Sequence, residues 1–199
     1  MIIESAPLRS WIALIALLCV CGPAWAERDW SAFRSAAGRF RVELPAAPEV
    51  HTESSSTLFG AVSHTKYTLR VEDALVAVEV HEFPAVAATL LSSRAILEHT
   101  RRGVLDDMQA RQLESHARTL QKMPALDFTY ELPGAPTRRE RALAVLVGHR
   151  IYLVTGMTEG SPGSHPEIGR FFESFRFWQD ASEPSAQPPL EVEDRALLP

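Results

Sequence analysis

The sequence predicts an α+β protein in which a largely antiparallel sheet lies between helices, and three stretches predict it. Residues 138–157 alternate with apolar side chains on both faces and reverse at Gly148-His149. Residues 92–108 and 164–175 switch to the helical period, each with one apolar stripe. A hairpin that is apolar on both sides must be covered twice, whereas a sheet with one wet face shows polar alternation. The two helices are the natural covers.

The elements follow in order along the chain. GRFRVELP places Phe40, Val42 and Leu44 on one face and Arg39, Arg41 and Glu43 on the other, then stops at Pro45. Strands follow over Ala61 to Arg70 and Ala74 to Phe83, joined by the acidic turn Glu72-Asp73. Pairing about that turn sets Tyr67 opposite Val78 and Leu69 opposite Val76, with Lys66 opposite Glu79 on the other face. Apolar meets apolar and charge meets countercharge in a single register. From Ser92 to Met108 the period changes: Ile96, Thr100, Val104 and Met108 recur along one stripe, widened by Leu97 and Leu105. Arg94, Glu98, Arg101, Arg102 and Asp106 point elsewhere. Gly103 inside this helix costs up to ~1 kcal/mol relative to alanine, which close packing onto a sheet would explain.

Strands resume at Arg111 to Gln121, and Leu126, Phe128, Tyr130 and Leu132 alternate with Asp127, Thr129 and Glu131. In the hairpin Arg138 to Val147 and Arg150 to Met157, Val145 faces Tyr152 and Leu143 faces Val154. On its other side Leu146 faces Ile151 and Ala144 faces Leu153, and glycine in the first loop position suits a primed turn. Ser164 and Glu167 form a capping box around Pro166. They open a helix that buries Ile168, Phe171, Phe172 and Phe175.

The chain ends carry a different text. Trp11 to Cys21 is an apolar run too short for the ~20 residues that cross a bilayer, and Ala24-Trp25-Ala26 is a small-x-small cleavage site before Glu27. Residues 1–26 are thus predicted to be a signal peptide, 27–178 one α/β domain, and 179–199 a disordered, Pro-rich acidic tail. The protein is expected to be exported, periplasmic or extracellular, with no transmembrane helix in the mature chain. Both cysteines, Cys19 and Cys21, fall within the signal, so the mature chain has no disulfide, thiol nucleophile or thiolate metal site. A lipid anchor at Cys21 fits Leu18 three residues earlier but not Val20, where such signals use a small residue. The net charge is −5, most of it in the tail, and the near-neutral domain argues against a nucleic-acid partner.

Catalytic motifs are missing. No G-x-S-x-G elbow occurs, and His81-Glu82 continues as Phe83-Pro84-Ala85 rather than as a zincin helix. The loop at 159–164 resembles a phosphate cradle but lacks the lysine followed by Ser or Thr. Asp106 and Asp107 are consecutive on a helix, about 100° apart around its axis. These observations predict a non-enzymatic protein with no cofactor. The strongest chemical pairing is His64 with His81, which the register sets directly opposite each other. Cross-strand Cβ atoms lie ~5 Å apart, close enough for two imidazoles to share a zinc or copper ion. A third ligand would come from elsewhere, such as Glu79 or Glu82; the other reading is a polar, exposed sheet face. Arg138, Arg139 and Arg141 around Glu140 divide between two faces. Arg101-Arg102 read as the wet side of a helix, and His99, His116, His149 and His165 as isolated surface or turn residues.

GRFRVELPAAP near the start, VLVGHRIYLVTG late and RFFESFRFW at the end occur in an order that resembles the PsbP-like superfamily, over roughly Trp30 to Trp178. The resemblance implies an α/β/α sandwich with an antiparallel sheet. Its relatives include an extrinsic photosystem subunit and Ran-binding Mog-type proteins, which dock onto other proteins. Lys122-Met123 stands before Pro124-Ala125 where family members often carry glycine, so that turn departs from the pattern. The resemblance and the missing motifs together imply an interaction module for an envelope or extracellular protein. The alternative is a periplasmic binder of a small molecule or metal, with a pocket between sheet and helix lined by Tyr67, Tyr130 or Tyr152. An exposed apolar patch would favour the first, a concavity the second.

Overall fold

A computed structural model describes residues 29–57, 60–85 and 90–178. The signal with its cleavage residues Ala24, Ala26 and Glu27, and the tail at 179–199, lie outside the described residues. The strands are β1 (Ser31–Ser35), β2 (Phe40–Leu44), β3 (Glu49–Thr57), β4 (Gly60–Val71) and β5 (Ala74–Glu82), then β6 (Arg111–Leu120), β7 (Met123–Leu132), β8 (Arg138–Val147), β9 (Arg150–Thr158) and β10 (Arg176–Phe177). Helix α1 (Ser93–Asp107) follows β5, and α2 (Pro166–Ser174) follows β9 after a short 3-10 turn at Pro162–Ser164.

Seven strands form one antiparallel sheet in the order β3-β4-β5-β9-β8-β7-β6. The doubly apolar β8–β9 hairpin therefore lies inside the sheet, and every cross-strand pair expected of it is present: Val145 with Tyr152, Leu143 with Val154, Leu146 with Ile151, Ala144 with Leu153. Its turn uses Gly148 at φ +61°, the left-handed conformation a primed turn requires. The β4–β5 register is likewise as expected, with Tyr67 facing Val78 and Lys66 facing Glu79.

Two cores result. On one face α1 packs over β7 and β8, enclosing Ile96, Leu97, Phe128, Tyr130, Leu146 and Leu153. On the other, α2 lies over Val76, Val78, Leu143 and Val154, burying Ile168, Phe171 and Phe172. A second sheet, β1-β2-β10, shares this face with α2 and contributes Phe40, Val42 and Phe177. The sequence signals had not shown β1, β3 or β10. The architecture is the expected mixed α+β sandwich, with a small sheet added to one outer layer.

Several local expectations are corrected. Ser164 does not cap α2: it ends the 3-10 turn and its hydroxyl donates to the Ser161 carbonyl at 3.2 Å. His165 occupies the cap position instead. Gly103 does not permit close packing, since a Cβ there would meet nothing within 4 Å. The close approach is at Gly156, where a Cβ would stand 2.6 Å from Ile168 Cγ2. Met108 ends the stripe of α1 exposed rather than buried. Arg101 is not on the wet side: it bonds Glu98 at 2.9 Å and reaches Gln112 of β6. Ser92 does cap α1, accepting from the Ala95 N–H at 3.2 Å.

Candidate metal and ligand site

The site grows from the β4–β5 hairpin. The two-residue turn at Glu72-Asp73 fixes the register, so His64 and His81 are direct cross-strand partners. Their rings stack at 4.3 Å between centroids with planes 11° apart. Side chains two apart on a strand share a face, which brings Glu79 beside His81 and Lys66 beside His64. Glu79 Oε2 lies 3.1 Å from His64 Nε2 and 3.5 Å from His81 Nε2. Its Oε1 lies 2.6 Å from the Lys66 ammonium. Glu82, the other acid considered as a third ligand, falls on the opposite face. It pairs with Arg150 and accepts from the Ser63 hydroxyl.

Burial alone would raise the Glu79 carboxyl. Hydrogen bonds from His81 and Lys66 and the charges of Lys66 and His64 outweigh it and hold the group at about 2. It is thus an anion at any physiological pH. One donor atom each from His64, Glu79 and His81 lies within 4.8 Å of the others. Donors around one tetrahedral zinc at ~2.0–2.1 Å stand about 3.3–3.4 Å apart. The 3.1 and 3.5 Å contacts already approach that spacing.

These groups form the floor of a cleft of about 740 Å³ between the sheet and α1. Further along the floor, Tyr130 of β7 faces Glu140 of β8. Burial raises the Glu140 carboxyl, against hydrogen bonds from the Thr155 and Tyr130 hydroxyls and the charge of Lys66. Burial and the neighbouring Glu140 also push the Tyr130 phenol up. A carboxyl held low by its cationic neighbours and one pushed up by burial therefore share one concavity. Of these residues the sequence had pointed only to Tyr130, as a pocket wall; Glu140, Lys66 and Thr155 were not singled out as site residues. Parity along β4 would have found Lys66, but the burial of Glu140 depends on the roof that α1 supplies.

The remaining candidates go elsewhere. Tyr67 and Tyr152 lie in the opposite core, so only Tyr130 of the three tyrosines lines the cleft. The arginines divide between faces as expected. Arg138 borders the cleft; Arg141 forks onto Asp127 at 2.7 and 3.0 Å and covers the Phe172 ring at 4.6 Å. Arg139 and Arg111 both pair with Glu131. His99 borders the cleft from α1. His165 is not isolated: its Nε2 bonds Asp73 of the β4–β5 turn at 2.9 Å and so ties α2 to that hairpin.

No family model matches the sequence, and no curated protein is similar to it. Among solved structures, the solution structure of cyanobacterial PsbP (CyanoP) from Synechocystis superposes with a TM-score of 0.51. The identity is 15%, over 81% of this chain and 99% of that one. A Pseudomonas aeruginosa protein of unknown function, PA94, superposes with a TM-score of 0.36 at 10% identity, over 72% of this chain and 91% of its own, too low to carry an argument. The chain has the PsbP-like fold. On this fold the histidine–glutamate–histidine cluster lies on the floor of the cleft that α1 borders.

Proposed function

We propose that this is an exported, non-enzymatic binding protein that holds a zinc or copper ion between His64, Glu79 and His81. The observation that carries the reading is three donors of suitable chemistry gathered within 4.8 Å on the floor of an open cleft. Imidazole and carboxylate suit zinc, and the Irving–Williams order places copper(II) above it at an equal site. Zinc titrated into the purified protein should raise its melting temperature. At a free concentration a hundred times the dissociation constant, mass action predicts about 2.7 kcal/mol of added stability. The double variant His64→Ala/His81→Ala should lose that response while melting near the metal-free protein. Zinc that leaves the wild type unmoved, or moves the double variant equally, removes the metal reading. Export itself predicts a mature amino terminus at Glu27 by mass spectrometry.

A second reading, docking of an envelope or extracellular protein, draws support from β6. This edge strand is exposed from Arg111 to Thr119 except at Ser115, and Leu113 offers an apolar side chain at a bulge. A partner strand could add to that edge by main-chain pairing. Capture from the native envelope of a partner whose binding Leu113→Glu abolishes would favour this reading over the metal.

A further inference from the structure

Gly103 is the anomaly that the fold leaves over. It sits inside α1, where glycine is unfavourable by up to ~1 kcal/mol against alanine. Its backbone is helical and needs no left-handed freedom, and no atom within 4 Å demands a missing Cβ. What it does is border the cleft, directly above the sheet that carries the donor cluster. A side chain there would enter the space that the ion faces.

The ion's own valence points the same way. Three protein donors leave a tetrahedral metal one open position, the arrangement of sites that accept an outside ligand rather than of closed structural sites. The space beyond it is of a size that small-molecule sites occupy. Apolar side chains make a large part of its walls: Leu75, Leu153 and Met157 rise from the sheet, Leu132 from the end of β7 and Val104 from α1. They stand beside the polar Tyr130, Glu140 and Thr155. Lys66 adds positive charge beside Glu79, while Glu140, Arg138 and Asp107 lie towards the other end of the cleft. With a divalent ion in place the end of the cleft at His64, Glu79 and His81 is cationic, and Leu153, Leu75 and Met157 offer an apolar strip leading away from it.

We infer that the cleft receives a carboxylate with an apolar body, its head on the metal's open position and its chain along the wall beneath Gly103. The inference rests on the metal reading above and deepens it by naming the ligand class. Each methylene moved from water to such a wall contributes ~0.8 kcal/mol. A longer aliphatic acid must therefore bind more tightly than a short one, which a bare metal site would not require.

Cobalt(II) serves as the probe, because its visible absorption reports the ion and its ligands together. The protein is loaded with cobalt and titrated with acetate or octanoate, alongside a Gly103→Leu variant that keeps every donor and improves helix propensity. Octanoate should shift the cobalt band at a concentration at least tenfold below acetate. Gly103→Leu should keep the cobalt band and weaken octanoate at least tenfold, leaving acetate almost unchanged. Equal concentrations for the two acids, or octanoate unaffected by Gly103→Leu, overturn the inference and leave the metal site standing. A protein that takes up no cobalt overturns both.

Discussion

Asp127 shows how a single side chain ties β6, β7 and β8 together. It accepts both arms of the Arg141 fork and a 2.8 Å bond from Arg118, with its own side chain mostly covered. Burial opposes its charge, but the two guanidinium groups outweigh that and hold the carboxyl below its ordinary 3.8. A carboxylate depressed in the folded state stabilises above the unfolded value and loses its contribution as pH falls through the folded one. Asp127→Asn should therefore cost about 1.5–3 kcal/mol at pH 7, the range for hydrogen bonds to charged groups. In urea unfolding the difference from wild type should shrink steadily below pH 4. A gap that stays constant down to pH 2 would show that the charge is not what matters. At this scale the sequence was legible wherever a short turn fixed the partner. The Glu72-Asp73 turn determined His64 against His81, and pleat parity separates Glu79 from Glu82. Glu140 was not legible, because an acid among arginines at the start of a strand reads as solvated until the roof helix is in place.

Among the elements, the two glycines that matter act in opposite senses. Gly156 lets α2 settle against the sheet, and Gly156→Ala would drive a Cβ to 2.6 Å from Ile168, so it should destabilise by about 1–3 kcal/mol. Gly103→Ala meets nothing and should stabilise by up to ~1 kcal/mol. Chemical denaturation of the pair checks both signs; a destabilised Gly103→Ala would refute the open-cleft account of that residue. The β6–β7 turn follows a similar logic without glycine. Gln121 and Lys122 both take positive φ, +49° and +69°. Gln121 is held there because its amide donates to the Phe177 carbonyl at 2.9 Å and accepts from the Phe177 N–H at 3.0 Å. That bracket extends the three-stranded layer with a side chain. It also explains why β10 was invisible: two residues have no periodicity of their own. β3 was hidden for a different reason, since EVHTESSST has no apolar face and its Val50 is exposed. Ser164 misled because the 3-10 turn before α2 claims its hydroxyl.

Across the molecule, one sheet is shared by two cores, so neither should melt alone. Phe128 lies in the core beneath α1 and Phe171 in the core beneath α2, each nearly inaccessible. Truncating either to alanine should cost about 3–5 kcal/mol. Tryptophan fluorescence and far-ultraviolet circular dichroism should still report a single, coincident transition. Separate transitions in either variant would mean that the faces are independent. The two-layered burial was the most legible property of the whole chain, because β8 and β9 are apolar on both sides. The division of labour between those layers was not.

The small sheet decides how the molecule can be fastened. Its outer strands, β1 and β10, are the first and last elements of the described domain, and both flank β2 on the side away from α1. A bead, a fused domain or an anchoring group attached at either end would therefore grip the back of the protein. The mouth of the cleft would be left turned outward, free to sample whatever diffuses past.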